Sequence, residues 1–150
     1  MSELSLQDRY FPELPCFGCG PANADGLRLK SFVDGELVVA DFTPWPEHDN
    51  GLGFLNGGII ATVLDCHSAA VVTHEAYSQG WPALPGAALP YVTAGLDVSY
   101  LRPAPLKEPV RLVGRVLEVS EPEITAEVWI EWDGKPRARA HALWKRWRPR

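Results

Sequence analysis

Hydrophobic and polar residues alternate along most of the second half of the chain. Over 92–101, Val92, Ala94, Leu96, Val98 and Tyr100 stand against Thr93, Gly95, Asp97 and Ser99. A period of two gives a strand with two unlike faces, which assigns the first set to the core and Thr93 to the polar side. Arg102-Pro103-Ala104-Pro105 ends that strand, because proline cannot donate to a ladder. Three more strand patterns follow over 110–119, 124–132 and 137–147, separated by Glu121-Pro122 and by Asp133-Gly134. The second is a two-residue hairpin signal, as is Asp34-Gly35 between strand patterns at 27–33 and 36–43.

One segment has the other period. Residues 59–75 contain neither Pro nor Gly, and Ile59, Val63, Cys66, His67, Ala70 and His74 recur on one side at helical spacing. Ala61, Thr62, Asp65, Ser68 and Ala69 make a neighbouring side of small or polar groups. The predicted order is two strands, one long helix and four strands, an α+β domain with a curved antiparallel sheet over a single helix. Segment 1–26 is punctuated by Pro12, Pro15, Gly18, Gly20, Pro21 and Gly26 and reads as mostly irregular. Residues 27–150 then form the domain proper, with loops at 44–56 and 80–90.

Composition narrows the classes. The chain has 150 residues, 46% hydrophobic and 22% charged, which fits one globular domain. A formal charge of −5 argues against a general nucleic-acid binder, which is normally basic. The tail Lys145-Arg146-Trp147-Arg148-Pro149-Arg150 is a local exception, either a solvated terminus or a contact for ligand phosphates. No run approaches the roughly 18 apolar residues of a membrane span. Residues 1–10 lack a basic stretch followed by an apolar one, so no secretory signal is read. Three cysteines do not make a disulfide framework, and the expected compartment is the cytoplasm.

Chemistry concentrates in residues 50–66. A polar loop enters the Gly57-Gly58 pair and then an apolar helix carrying one carboxylate, Asp65. A helix start leaves N–H groups without intrahelical partners, and glycine admits a ligand close to them. Such donors, with the positive helix end, suit a carbonyl oxygen that becomes negative during reaction. Asp65 is an acid in oily surroundings; its bland reading is a helix carboxylate bonded to neighbours or paired across a dimer. Eight residues at about 1.5 Å each separate Gly57 from Asp65 by roughly 12 Å. Both cannot reach one small reacting group from the same chain, so a shared chemistry requires two chains and two composite sites.

The Asn-bearing loop, the Asn56-Gly57-Gly58 turn, Asp65 nine positions after Asn56, and Ser99-Tyr100-Leu101-Arg102-Pro103-Ala104 together resemble the hotdog-fold acyl-CoA thioesterases. The nearest likeness is to their phenylacetyl-CoA thioesterase-like branch, and Cys16-Phe17-Gly18-Cys19-Gly20 leading to Gly26-Leu27-Arg28-Leu29 is similar to the opening of many bacterial members. The resemblance covers roughly 16–147. It implies a hotdog fold, an acyl-CoA substrate, no cofactor, and a homodimer with sites at the dimer interface, of the kind that the family often pairs into a dimer of dimers. It places Asp65 as general base or nucleophile, Gly57 N–H on the thioester carbonyl, and Asn50 and Thr93 at the attacking water. Asn56 stands where many members carry His; a carboxamide can still donate to the carbonyl but cannot shuttle a proton. Gly58 and Arg102 are further substrate contacts, Arg102 for the nucleotide part of CoA.

Two other functions fit the same fold: a non-hydrolytic acyl-CoA sensor, which loss of the turn His favours, and a hydratase or dehydratase, which would want a catalytic His. The spacing Cys16-x-x-Cys19, with Cys66 and His67, also invites a zinc reading. Structural zinc normally takes two compact pairs of ligands, whereas adjacent helix residues diverge by about 100°. No metal is therefore expected, and the cysteines read as small packed residues. His67 reads as a hydrogen-bonded core residue, and His48 as a loop residue near the site.

Overall fold

The computed structural model describes residues 3–150; Met1 and Ser2, the first of the segment expected to be irregular, lie outside them. In chain order the elements are α1 (Leu6–Tyr10), β1 (Phe32–Asp34), β2 (Leu37–Phe42), a 3-10 turn (Pro46–His48), α2 (Gly57–Ser78), β3 (Tyr91–Tyr100), β4 (Val110–Val119), β5 (Glu123–Trp132) and β6 (Lys135–Arg146). The six strands form one antiparallel sheet in the order β1-β2-β4-β5-β6-β3, packed on α2. One long helix against such a sheet is the hotdog architecture.

Helix α2 is longer than its apolar pattern. Asn56 caps its N-terminus, which draws Gly57 and Gly58 into the first turn. Val63, Leu64, Ala70, Val72 and Ala76 are fully buried, as are Leu112, Ile124, Ala126, Val128, Ile130, Ala138 and Ala142 of the sheet. Alternate positions of β2, β5 and β6 face the helix, as the period of two requires. The helix comes very close to β4: a Cβ on Gly114 would sit 2.7 Å from Val71 Cγ2 and 2.9 Å from Val128 Cγ1.

The N-terminal segment is more ordered than its Pro/Gly punctuation suggests. Ser5 caps α1, Gln7 is buried and bonds Ser31, and Tyr10 stacks on Tyr77 of α2. This also explains why β1 is shorter than expected. Leu27 N–H donates to Phe17 O, Leu29 N–H to Gly18 O, and Ser31 O accepts from Leu6 N–H, so residues 27–31 pair with the preceding segment. Arg28, at φ 53°, breaks the extended run there. The Asp133-Gly134 hairpin is as expected, with both residues at positive φ as a type I′ turn demands.

Strand β3 departs from its simple alternation in a way that matters for the site. Its pairing with β6 shifts between Thr93 and Gly95, so Ala94 is an extra residue. Thr93 pairs with buried Trp144, while Leu96, Val98 and Tyr100 pair with buried Ala142, Ala140 and Ala138. Directly paired residues share a face, so inward positions are odd before the bulge and even after it. Thr93 therefore faces the helix, not the polar side that unbroken alternation assigned to it.

Among the described residues no helix is long and apolar enough to cross a membrane. Gly114→Ala forces a methyl into the helix–sheet contact, an overpacking worth about 1–3 kcal/mol. For a chain of this size the expected loss in Tm is roughly 3–10 °C, read by thermal unfolding.

Candidate functional site: two half-sites on one helix

Asp65, the ninth residue of α2, is half-buried beneath β3. Thr93 Oγ1 donates to Asp65 Oδ1 at 2.8 Å, made possible by the bulge that turns Thr93 inward. Asp65 Oδ2 has no hydrogen-bond partner among the described residues. Burial pushes the Asp65 carboxyl above its ordinary range, and the Thr93 hydroxyl pulls it back. Beneath, Ser68 Oγ donates to Asp65 O at 2.6 Å and accepts from Trp144 Nε1 at 2.9 Å, which ties this helical turn to β6. A cleft of about 520 Å³ opens over the carboxylate, with Phe11, Leu14, Leu89, Val92 and Trp144 as its apolar walls.

Gly57 sits at the other end of this arrangement. Three N–H groups of the first turn lack an intrahelical acceptor. Asn56 Oδ1 accepts two of them, from Gly58 at 2.8 Å and Ile59 at 3.2 Å. Ile60 N–H begins the regular ladder on Asn56 O. Gly57 N–H alone is left without an acceptor among the described residues. Tyr100 Oη donates to Gly57 O at 2.7 Å and holds the turn from β3. A separate cleft of about 430 Å³ collects Gly57, Asn50, Tyr100 and Arg102.

The expected site residues thus fall into two groups, with Asp65 and Thr93 in one cleft and Gly57, Asn50 and Arg102 in the other. Several of these residues have partners within the chain. Gly58, expected as a substrate contact, has its N–H occupied by the Asn56 cap. The Asn56 carbonyl oxygen is likewise committed, leaving only its NH2 to face a ligand. Asn50 Oδ1 accepts from Leu52 and Phe54 N–H and so shapes the loop. Thr93 holds the carboxylate itself. Arg102 is exposed, and its guanidinium donates to Pro136 O at 3.2 Å. In the tail, Lys145 pairs with Glu123, and Arg146 bonds Trp81 O and Pro90 O over the Tyr91 ring, so both are tied to their own chain. His48 is buried between Trp45 and Phe42 and accepts from Trp45 N–H, a structural role.

His67 is fully buried, bonded to Ser31 Oγ and Val38 O, and burial pushes its imidazole down to about 4. It faces away from the cysteines, as helical divergence requires. The cysteines are not independently packed, however: the sulfurs of Cys16, Cys19 and Cys66 all lie within 4.8 Å of one another on the wall of the Asp65 cleft. Hydrogen bonds from the Cys19 and Cys66 thiols hold the Cys16 thiol below its ordinary range.

The profile of the thioesterase superfamily matches residues 52–134, more than half of the chain. The chain belongs to the thioesterase superfamily. A superfamily protein from Shewanella loihica PV-4 is 31% identical, with 80% of this chain and 91% of that one aligned at a TM-score of 0.62. A phenylacetic acid degradation-related protein from Ralstonia eutropha JMP134 shares the fold at TM-score 0.71 and 24% identity, over 94% of this chain and 98% of that one. A Streptococcus mutans UA159 protein solved bound to acetyl CoA shares it at TM-score 0.64 and 19% identity, over 81% and 90%. No curated protein matches the sequence significantly.

The superfamily segment contains Gly57, Asp65, Thr93, Tyr100 and Arg102, but neither Asn50 nor the Cys16–Cys19 loop. Tyr100 was missed as a site residue. Its place in the inward set of β3 is visible in the alternation; its bond to Gly57 O depends on how strand and helix meet. Because Asn56 satisfies two first-turn donors, Asn56→Ala should cost about 1 kcal/mol and Asn56→Ser only a fraction of that. Thermal unfolding of both variants should rank Tm as wild type, Ser, Ala.

Proposed function

We propose that this protein hydrolyses acyl-CoA thioesters at a site completed by two chains. The observation that carries the reading is the pairing of one free N–H at the start of α2 with a carboxylate two turns further along the same helix. Each has the chemistry of half an acyl-transfer site. Gly57 N–H suits the oxygen that becomes negative in the tetrahedral intermediate. Asp65, held through Oδ1 with Oδ2 free, suits removal of a proton from water or direct attack on the carbonyl carbon. Collapse of the intermediate expels the CoA thiolate, which takes up a proton, and leaves the carboxylic acid.

Strand β3 offers the means of assembly. It is ten residues long and lies at the edge of the sheet. Unpaired edges of that length are templates for another strand. Antiparallel pairing of two β3 strands centred between Leu96 and Asp97 sets Thr93 opposite Tyr100 of the partner subunit. Thr93 holds Asp65 and Tyr100 holds Gly57, so this register brings unlike half-sites together twice per dimer. Arg102, beside the Gly57 half-site, then suits a CoA phosphate, and the apolar cleft over Asp65 suits the acyl chain. The acetyl CoA bound by the Streptococcus mutans relative and the phenylacetic acid link of the Ralstonia eutropha relative agree with an acyl-CoA substrate and with the phenylacetyl-CoA thioesterase-like branch.

The test is thiol release from a panel of aromatic and aliphatic acyl-CoAs. Asp65→Asn should lower kcat by about 10²–10⁴-fold, as loss of a positioned base does. Thr93→Val, which loses one hydrogen bond of about 1 kcal/mol, should lower it only several-fold. Saturable binding of acyl-CoAs with no thiol released by the wild type would instead assign an acyl-CoA sensor, the reading that Asn56 in place of His favours.

A further inference from the structure

The three cysteines meet from two distant parts of the chain. Cys16 and Cys19 come from the N-terminal loop and Cys66 from the middle of α2, and Cys16 Sγ lies 3.8 Å from Cys66 Sγ. Tetrahedral zinc with thiolates at about 2.3 Å sets its sulfurs about 3.8 Å apart, whereas a disulfide needs about 2.05 Å. Cys19 and Cys66 are buried, Cys16 is half-buried, and none is disulfide-bonded.

The loop is shaped around the sulfurs. Gly20 N–H donates to Cys16 O at 2.8 Å and closes the Cys16-Phe17-Gly18-Cys19-Gly20 turn. A Cβ on Gly20 would meet Cys16 N and Leu14 O at 2.3 Å, and one on Gly18 would meet Cys66 Sγ at 2.3 Å. Both glycines are therefore demanded by close approach, the second directly by the sulfur of the helix. The loop is also anchored independently of the cysteines, through Leu27 N–H to Phe17 O and Leu29 N–H to Gly18 O. The sulfurs are thus presented together by backbone that does not depend on their bonding to one another.

We infer that Cys16, Cys19 and Cys66 form a three-thiolate zinc site that clips the N-terminal loop to helix α2. Zn²⁺ displaces the thiol protons and bonds three sulfurs, with no change of oxidation state. The fourth position is left to water from the cleft that these residues line together with Asp65. Zinc is preferred to a hard cation because thiolates are soft donors. The expected objection, that a helix cannot supply two adjacent ligands, falls away: one helical cysteine suffices, and His67 is bonded elsewhere.

The test uses the full-length chain, purified without chelator. Metal analysis should find about one zinc per chain, a ratio that Cys19→Ser and Cys66→Ser each reduce severalfold. Co²⁺ added to chelator-stripped wild-type protein should produce thiolate-to-cobalt charge-transfer bands with a one-to-one endpoint, and Zn²⁺ should abolish them. That titration needs no variant to fold and no activity to be measured. Absence of zinc from the purified protein, together with no cobalt–thiolate bands, would overturn the site and leave three packed thiols. Thioester hydrolysis can fail while the cobalt spectrum appears, or the reverse, so the two proposals stand or fall separately.

Discussion

A rigid helix cannot deliver its own first amide and its ninth residue to the same atom. That constraint organises the functional reading of this protein. Helix α2 is fixed by the sheet and by the N-terminal segment, with Val63, Leu64, Ala70, Val72 and Ala76 wholly out of solvent. It cannot bend to close the gap of roughly 12 Å between Gly57 and Asp65. The two groups are also attached to opposite parts of β3, through Tyr100 and Thr93 respectively. Strand and helix therefore hold the two groups apart in each chain, and in the proposed site the open edge of β3 is where a second chain joins them.

The refinements around each half serve that division. As N-cap, Asn56 accepts from the N2 and N3 donors, Gly58 and Ile59, which leaves Gly57 N–H available. The bulge at Ala94 reverses the faces of β3, so a threonine expected among polar neighbours reaches the carboxylate. Without that extra residue Thr93 would point away and Asp65 Oδ1 would lose its donor. Ser68 and Trp144 extend the support into the core, where misplacement is resisted by packing.

Much of this was legible in the residues. Strands β4, β5 and β6, the Asp133-Gly134 hairpin and the body of α2 follow from periodicity and turn chemistry, because their patterns are long and their faces consistently buried. The proposal of Asp65, Gly57 and a second chain rests on equally plain features: one carboxylate, one glycine pair and the rise of a helix. What stayed hidden depended on contacts distant in sequence. Residues 27–31 carry a strand pattern, yet their backbone bonds go to the 6–18 segment. Gly58 looks equivalent to Gly57 until the cap selects between them. The thiol cluster could not be read from spacing, since Cys66 lies 50 residues from Cys16 and is brought to it only by the docked loop.

Mixed dimers probe the two-chain site most directly. Gly57→Pro removes the N–H at a helix position that tolerates proline, where the nearest neighbour of an added Cβ is the Tyr100 ring at 3.5 Å. Asp65→Asn removes the carboxylate, and each variant alone should be nearly inactive in acyl-CoA hydrolysis. Co-expressed, they form heterodimers in which one site unites an intact Gly57 with an intact Asp65 from the other chain, and a substantial fraction of activity should return. If the purified heterodimer stays as inactive as either parent, both groups act within one chain and the composite site is wrong.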